Sequence, residues 1–434
     1  MYKALLVLLT VAFFSSISES ALAATVEVGS CRAGLPQYST IQSAVNAAPS
    51  GSNVFICPGR YHEQVVINKA LDIRGIVEGT NDAAIIVPPV TGVVQNTTSL
   101  SSGAAIAAQV LVQGTVGVSL TNITVDGSNN GLTENSCAGP DFIGVYFQNA
   151  SGSITRTAVV NQTMTPTNGC QNGLAIFVQS GNSGTSNVTV ANNHVQNYQK
   201  NGITGNEVGT TVTVSGNTVF GQGPTNGAAE NSIQIGFGAA GSITGNTVGD
   251  DIWAPDTSSD SADAASGILV YASHGISVSK NTVGNTQFGI GFVTDPSVGT
   301  ADDGVITSNK IAATHIFDAI ELCNNHNMVQ GNTINGSDEA AIHVDSGCAN
   351  FGASGNTGSA DTISSNLMNG ACAGILIGTL AGSNTIGTNT FFNTGNTVLI
   401  ADQCLMPTLA AVPPATARAT GITKTHRLPR PARP

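Results

Sequence analysis

Lys200 is the basic residue whose position best suits proton transfer. It stands immediately before a short apolar segment that starts at Gly202, and three acids follow it at Glu230, Asp250 and Asp251. Acidic neighbours raise a lysine pKa, so desolvation would have to lower it into the range that a general base needs. Grouped carboxylates bind hard cations such as Ca²⁺. The pattern predicts a catalytic base at Lys200 beside a Ca²⁺ site formed by these three acids.

A second group combines carboxylates with an imidazole. When the repeats of the chain are aligned, Glu321 and His343 occupy the same outward position one repeat apart, and Asp345 follows two residues later. Such a group can hold a substrate, bind a metal or transfer protons. A solvated strand face beside a disulfide at Cys323 is the alternative, and the sequence leaves both interpretations open.

Both groups depend on an internal repeat, which is the strongest pattern in the sequence. A short segment, in which Gly, Ala or Ser precedes alternating apolar residues, recurs every 22 to 35 residues. It begins at Gly144, Gly173, Gly202 (a truncated copy), Ser232, Gly267, Gly289, Ala319, Ala341 and Gly374. Stacked about 4.8 Å apart, such segments form parallel sheets around a continuous core. The repeat predicts an all-β fold, a right-handed parallel β-helix.

A second periodic series consists of asparagines that alternate with these segments. Its members are Asn193, Asn217, Asn246, Asn281, Asn309, Asn332, Asn366 and Asn389. Asparagine tolerates turn conformations, and its amide can bond to the chain above and below. We therefore expect a stacked asparagine ladder at one turn of every rung.

The eight cysteines form no metal-type C-x-x-C motif, which favours disulfides in an exported chain. Pairing in sequence order gives separations of about one rung. The predicted bridges are Cys31–Cys57, Cys137–Cys170, Cys323–Cys348 and Cys372–Cys404.

The two ends of the chain differ from its body. Residues 1–23 resemble a secretory signal peptide, with Lys3 before an apolar stretch and a small-residue cleavage site. We predict export to the periplasm or the medium, a β-helix domain over residues 24–404, and a disordered basic tail over residues 405–434 that is rich in Pro and Ala. Thr40 and the Ile41-to-Ala48 pattern predict a short N-terminal capping helix.

Charge excludes some partners. Residues 24–404 carry 25 acids and eight basic residues, a formal net charge of −17. Such a body disfavours nucleic acid and anionic membranes, and no segment is long enough to span a bilayer. We expect a monomer without a membrane span.

The opening of the domain resembles the pectin-lyase-like β-helix superfamily. The matching residues are Thr40-Ile41-Gln42-Ser43-Ala44-Val45, Pro49-Ser50-Gly51, Ile56-Cys57-Pro58-Gly59-Arg60-Tyr61-His62-Glu63 and Leu71-Asp72-Ile73-Arg74-Gly75. The motif covers about residues 38–75, and the repeats extend the likeness to about residue 400. The resemblance implies the fold, and it implies an extracellular polysaccharide as ligand.

The family's chemistries match only in fragments. Asp141-Phe142-Ile143, with Gln109 and Gln113 upstream, is similar to part of the pectin methylesterase site, but the other acid and the arginine lack counterparts. The pair Asp302-Asp303 is similar to that of polygalacturonases without its other motifs. A lyase or epimerase would use Lys200 to remove the C5 proton of a uronate neutralised by Ca²⁺.

Trp253 lies in residues 250–263, a segment with five acids. This segment is either a calcium loop with an aromatic side chain that stacks on a sugar, or a solvated acidic loop.

Together with the family resemblance, these patterns predict a secreted protein that binds an acidic polysaccharide, with or without cleaving it. A noncatalytic surface or periplasmic protein serving adhesion, structure or assembly is the alternative.

Overall fold

The chain folds as a solenoid of stacked strands. The computed structural model describes residues 23–77, 84–132, 137, 139–164, 170–253, 264–346 and 357–404. The predicted tail, and the signal segment apart from Ala23, lie outside these residues. Among the described residues, no helix is long and apolar enough to cross a membrane.

The described residues contain one α-helix and a long series of short strands. The helix is α1 (Ile41–Ala47). The strands are, in chain order, β1 (Thr25–Val28), β2 (Gln37–Tyr38), β3 (Ser52–Ile56), β4 (Gly59–His62), β5 (Val65–Ile67), β6 (Leu71–Gly75), β7 (Ala84–Val87), β8 (Thr97–Thr98), β9 (Ala105–Gln113), β10 (Val118–Thr121), β11 (Thr124–Asp126), β12 (Asp141–Gln148), β13 (Gly152–Thr155), β14 (Ala158–Val160), β15 (Leu174–Gln179), β16 (Ser186–Ala191), β17 (His194–Gln196), β18 (Asn201–Asn206), β19 (Thr210–Ser215), β20 (Thr218–Thr225), β21 (Asn231–Gly236), β22 (Ala240–Thr244), β23 (Thr247–Trp253), β24 (Ser266–Tyr271), β25 (Ser277–Ser279), β26 (Thr282–Thr286), β27 (Phe288–Val293), β28 (Val305–Thr307), β29 (Lys310–Thr314), β30 (Ile320–Cys323), β31 (Met328–Gln330), β32 (Thr333–Val344), β33 (Thr362–Ser364), β34 (Leu367–Ile377), β35 (Thr385–Ile386), β36 (Thr390–Phe392) and β37 (Asn396–Ile400).

These strands form two large sheets. Sheet A has 14 strands, and sheet B has 23 strands. Sheet B comprises two rows of parallel strands and the short strand β8, which pairs antiparallel with β9. Row B1 runs β4, β7, β11, β14, β17, β20, β23, β26, β29, β32, β34 and β36, and row B2 runs β5, β9, β12, β15, β18, β21, β24, β27, β30, β32, β34 and β37. Each complete rung passes through sheet A, row B1 and row B2 in turn. The right-handed parallel β-helix predicted from the repeat is confirmed.

The core is a stack of aliphatic side chains in register. Ile203 pairs with Ile233, Ile233 with Ile268, and Ile268 with Ile290. All four are fully buried in one continuous core cluster. Where neighbouring rungs approach most closely, the residue before the buried isoleucine is glycine. A Cβ atom on Gly202 would lie 2.4 Å from the Val219 side chain and 2.6 Å from the Ser232 carbonyl oxygen. The small residue that opens each repeat therefore allows the rungs to pack closely.

The predicted asparagine ladder is present at the turn between sheet A and row B1. The Oδ1 atom of Asn246 accepts hydrogen bonds from the backbone N and the Nδ2 of Asn217, both at 2.9 Å. The Nδ2 of Asn246 donates to the carbonyl oxygen of Val214 and to Oδ1 of Asn281. The same pattern links the series from Asn193 to Asn389.

The N-terminal end is covered by α1, as the sequence predicts. Ile41, Ala44 and Val45 are buried against the first rungs, and Thr40 caps the helix by accepting a hydrogen bond from the Ser43 N. Glu63 accepts hydrogen bonds from the first two helical amides, at 2.7 and 2.8 Å. An anionic side chain at a helix N-terminus satisfies amides that have no partner within the helix.

Three of the four predicted disulfides are confirmed: Cys31–Cys57, Cys137–Cys170 and Cys372–Cys404. Cys323 is also disulfide-bonded. Its predicted partner, Cys348, lies outside the described residues.

The ladder gives a stability prediction. We expect Asn246→Leu to lower the free energy of unfolding by about 1–3 kcal/mol, because amide groups of Asn217 and Asn281 would lose their buried partner. Chemical denaturation checks this. The matched control is Asn187→Leu, since the Asn187 side chain is exposed in β16. Equal unfolding midpoints for the two variants would show that the ladder adds no stability.

Candidate functional site

The outward face of row B2 carries side chains in columns, one residue per rung. The central column consists of Leu111, Tyr146, Phe177, Thr204, Gln234, Leu269, Gly291, Glu321, His343, Leu376 and Leu399. Its members from Leu111 to Leu376 are buried. The column is aromatic at its N-terminal end, polar in the middle and ionisable near its C-terminal end.

Lys200 does not occupy the groove position expected of a catalytic base. It is fully buried, and its Nζ donates to the carbonyl oxygen of Ala229. Glu230, on the next rung, is also fully buried and attracts the Lys200 ammonium group. A base must reach the proton that it removes. Lys200 instead lies inside the fold, beside an acid.

The other member of this cluster is Asp251, which points into the core. Its Oδ1 accepts a hydrogen bond from the Tyr198 hydroxyl at 2.7 Å, and its Oδ2 accepts one from the Ser232 hydroxyl at 2.5 Å. Burial raises the pKa of Asp251 well above its usual range. Burial and the nearby Asp251 likewise raise the pKa of Glu230. The cluster is a buried polar network at the turn between rows B1 and B2.

Asp250 lies apart from Asp251, although the two are adjacent in sequence. Its φ of 59° is left-handed, and the equivalent turn residue on other rungs is also left-handed, as in Asn197 and Asn285. The Oδ1 of Asp250 accepts a hydrogen bond from the Asn285 Nδ2 at 2.6 Å. The structure thus brings Glu230 and Asp251 together, but Asp250 belongs to the outer turn and does not complete a three-acid cation site with them.

Trp253 is anchored by its polar edge. Its Nε1 donates to the carbonyl oxygen of Gly227 at 2.7 Å, and its backbone N donates to Gln287. The ring is partly buried at the end of β23. The rest of the acidic segment, residues 254–263, lies outside the described residues.

The Glu321 and His343 pairing is confirmed, and the structure adds Asp318 to it. Glu321 and His343 are register partners on β30 and β32. The His343 Nδ1 lies 3.2 Å from both the Asp318 Oδ2 and the Glu321 Oε2. All three residues are fully buried, so they are not the solvated strand face that the sequence allowed. Asp345 lies nearby, its Oδ2 3.7 Å from the Cys323 Sγ.

Electrostatics couple these groups. Burial raises the pKa of Glu321 to about 8, although His343 acts in the opposite direction. Burial alone would lower the pKa of His343, but Glu321 and Asp318 outweigh it and hold that pKa well above its usual value. Ionisable groups perturbed in this way are concentrated at functional sites.

The fragments of esterase and polygalacturonase motifs do not assemble into sites. The Gln109 amide donates to the backbone oxygens of Ile86 and Asp126, whereas Gln113 pairs with Gln148 at the far end of β12 from Asp141. The Gln113–Gln148 pair therefore lies seven strand residues, or about 23 Å, from Asp141.

The pair Asp302 and Asp303 forms a turn. The Asp302 Oδ1 accepts a hydrogen bond from the Asn325 N at 2.8 Å. Asp303 has a left-handed φ of 60° and contacts the exposed His274.

A polar ladder with an adjoining cavity follows the turn between rows B1 and B2. The Asn197 Nδ2 donates to the Asn161 Oδ1 at 2.7 Å, and the Asn161 Nδ2 donates to the Asp126 Oδ1 at 2.9 Å. Burial would raise the pKa of Asp126, but hydrogen bonds from Asn161 and Ser128 and the charge of Arg60 hold it below its usual value. The cavity measures about 450 Å³ and is lined by Ser128, Asn129, Asn130, Gly131, Leu132, Asn161, Thr163 and Asn197.

Sequence reasoning missed Asp318, Tyr198 and Ser232. A signal existed for Ser232, since it is the only serine among the small residues that open the repeats. Asp318 directly precedes the repeat at Ala319, at the rung position that Phe288 occupies one rung earlier. A comparison of the residues that directly precede each repeat would have identified Asp318 as an acid in this position. Tyr198 carries no periodic signal.

Comparison with known proteins yields structural matches only. No protein-family model matches the chain, and no curated protein matches it. The Dettilon tailspike protein is similar over 79% of this chain, with 17% sequence identity and a TM-score of 0.53. The chain spans 62% of the length of that tailspike. The GH136 lacto-N-biosidase of Eubacterium ramulus matches 86% of this chain and 68% of its own, with 10% identity and a TM-score of 0.54. These likenesses identify the fold.

The Lys200 cluster gives a prediction about stability. We expect Lys200→Ala to lower the free energy of unfolding by about 3–5 kcal/mol, because buried Glu230 loses the adjacent amine and the Ala229 carbonyl oxygen loses its donor. Lys310→Ala is the control, since the Lys310 side chain is exposed. Adding Glu230→Gln to Lys200→Ala should recover part of the loss. Equal stability of Lys200→Ala and Lys310→Ala in chemical denaturation would contradict a buried ionic cluster.

Asp141 gives a pH dependence. Burial raises its pKa from 3.8 to about 6, so the unfolded chain ionises before the folded one. Protonated Asp141 therefore stabilises the folded state, and this contribution is fully present below pH 3.8. It is lost as the pH rises through about 6. We expect the wild type to lose up to about 3 kcal/mol relative to Asp141→Asn over this interval. Unfolding free energies measured from pH 3 to pH 7 check this, and a constant difference between the two proteins would refute it.

Proposed function

We propose that this chain is an exported polysaccharide-binding β-helix protein, and that it binds its ligand along the turn between rows B1 and B2. The observation that carries the proposal is the 450 Å³ cavity beside the ladder of Asp126, Asn161 and Asn197. Its volume falls within the range of small-ligand sites, about 300–1,000 Å³. Its lining is rich in amide and hydroxyl groups.

Amide side chains suit a carbohydrate ligand because each offers both donors and an acceptor. Asn161 and Asn197 are partly exposed and lie one rung apart, at the stacking interval of about 4.8 Å. Asp126 adds an ionised acceptor beneath them, since its pKa is held low. A polymer with repeating hydroxyl groups can follow such a ladder along the solenoid axis.

A second hollow lined by amide groups lies at the other end of row B2, where β5, β9 and β12 end. It measures about 390 Å³ and is lined by Asn68, Leu100, Gln113, Gly114, Gln148 and Asn149. One of the structural neighbours described above supports a carbohydrate ligand, because it is named a lacto-N-biosidase. At 10–17% identity these neighbours supply no residue roles.

The charge of the body limits which polysaccharides can bind. A formal charge of −17 over residues 24–404 repels a uronate chain. An acidic polymer would therefore need a divalent cation between its carboxylates and those of the protein. A neutral polymer would bind through the amides without one.

The burial of Lys200 favours binding without β-elimination. Its Nζ lies inside the fold and is hydrogen-bonded to Ala229. We therefore propose a noncatalytic binding role in place of a lyase reaction at Lys200.

The test is a panel of neutral and acidic polysaccharides, with and without Ca²⁺, scored by calorimetry for binding and by absorbance at 235 nm for elimination. We expect binding without a rise in absorbance. Asn161→Gly and Asn197→Gly remove an amide while keeping the left-handed backbone, and the double variant should bind about tenfold more weakly.

The matched control is Asn393→Gly. Asn393 occupies the equivalent left-handed position (φ 48°) on the last rung, is exposed, and lies outside the cavity. Binding that is equal in the double variant, the control and the wild type would overturn the proposed site. Failure of the wild type to bind any polymer would overturn the function.

A further inference from the structure

The cluster of Asp318, Glu321 and His343 has the composition of a metal site. One ligand atom from each lies within 4.8 Å of the other two. All three side chains are buried: Glu321 and His343 lie on strands of row B2, and Asp318 lies just before β30, in the segment that joins rows B1 and B2. Strand packing there does not require an ionisable group. The polysaccharide site proposed above involves other residues, on the B1–B2 turn.

Glu321 shows a second and independent feature. Its Oε2 is buried and has no hydrogen-bond partner. Its Oε1 contacts the Cys323 Sγ at 3.2 Å, but a disulfide sulfur has no hydrogen to donate. Buried carboxylate oxygens normally accept hydrogen bonds, and leaving them without a donor is costly. The His343 Nδ1 lies 3.2 Å from this oxygen, but it carries at most one hydrogen, which the Asp318 Oδ2 accepts. A cation between the three groups would give the Glu321 Oε2 a bond of its own.

The local charge balance agrees. The anions acting on Glu321 are Asp318 and Asp345, and the cationic group is His343. With a neutral imidazole, the ligands Asp318 and Glu321 carry two negative charges, which one divalent ion neutralises. In the Lys200 cluster, by contrast, the lysine side chain already lies beside Glu230.

The distances suit coordination. The His343 Nδ1 lies 3.2 Å from the Asp318 Oδ2 and 3.2 Å from the Glu321 Oε2. Two metal bonds of about 2.1 Å that meet at about 100° place their donor atoms this far apart. The second oxygen of Asp318 is held by the Ala340 N at 2.8 Å, which orients the carboxylate.

We propose that Asp318, Glu321 and His343 bind a first-row divalent cation, Zn²⁺ or Mn²⁺. One imidazole nitrogen and two carboxylates suit these ions, whereas Ca²⁺ takes six to eight oxygen ligands. Three protein ligands leave further coordination positions for water or a ligand. The clusters that include Cys31 with Cys57, or Cys323, are not alternatives, because disulfide sulfurs are not thiolates.

The experiment measures metal in the full chain. Protein is expressed in medium supplemented with Zn²⁺ or with Mn²⁺, dialysed, and analysed by elemental mass spectrometry. We expect about one equivalent of one of these ions, and a melting temperature that falls on chelation and recovers on adding it back. A Co²⁺-substituted sample should show visible absorption bands that report the coordination geometry.

Glu321→Gln and His343→Gln should each reduce metal affinity at least tenfold, as measured by competition with a chromogenic chelator. The control is His274→Gln, which removes the imidazole of an exposed His–Asp pair in which the His274 Nε2 lies 2.6 Å from Asp303. Its metal content should match the wild type. If either cluster variant fails to fold, the stoichiometry and the Co²⁺ spectrum of the wild type still decide.

Three results would overturn the proposal. The first is wild-type protein without Zn²⁺ or Mn²⁺ after both expressions. The second is metal content that is unchanged in Glu321→Gln and His343→Gln. The third is binding of Ca²⁺ with no binding of the transition metals.

Discussion

The buried asparagine ladder fixes the register with which successive rungs pass from sheet A into row B1. Each ladder oxygen accepts from a backbone N and an Nδ2 on the preceding rung, as the Asn281 Oδ1 does from Asn246. Each ladder Nδ2 also donates to a backbone carbonyl of that preceding rung. A slip of one residue would break all three hydrogen bonds and leave a buried amide without partners, so this register is strongly favoured. The row B1 strands that directly follow the ladder keep its register, as the pairing of Lys310 with Thr333 shows. Glu321 and His343 are aligned by the pairing of β30 with β32, one residue out of step with the ladder.

The fold was predictable because its signals repeat. A small residue before alternating apolar residues recurs from Gly144 to Gly374, and a polar amide recurs at the turn into row B1 from Asn193 to Asn389. Because the series are long, single exceptions do not hide the pattern. The capping helix and three disulfides followed from local rules about N-caps and from rung-sized separations. Such rules need no knowledge of how distant side chains are oriented.

The candidate site was less predictable because orientation changes within one or two residues. Asp250 and Asp251 are adjacent in sequence. Asp250 has a left-handed backbone and its side chain lies at the outer turn, whereas the Asp251 side chain is buried in the core. Lys200 directly precedes a strand, where the periodic pattern does not specify a direction. Glu321 and His343 could be paired from the sequence because both lie inside the repeat. Asp318 lies just before it and was missed.

The two buried ionic clusters differ in how their charge is compensated. At the first, Lys200 lies beside Glu230, and Asp251 accepts two hydroxyl hydrogen bonds, so the network is largely satisfied within the fold. At the second, Glu321 has a carboxylate oxygen without a hydrogen-bond partner. Only 9% of the residues of this chain are charged, and its surface is rich in uncharged polar groups. Burying two acids and a histidine on an outward strand face therefore has no evident role in solubility or core packing. Since a partly satisfied buried cluster is less stable than an apolar surface of the same shape, a ligand that completes it is the simplest physical reason for its presence.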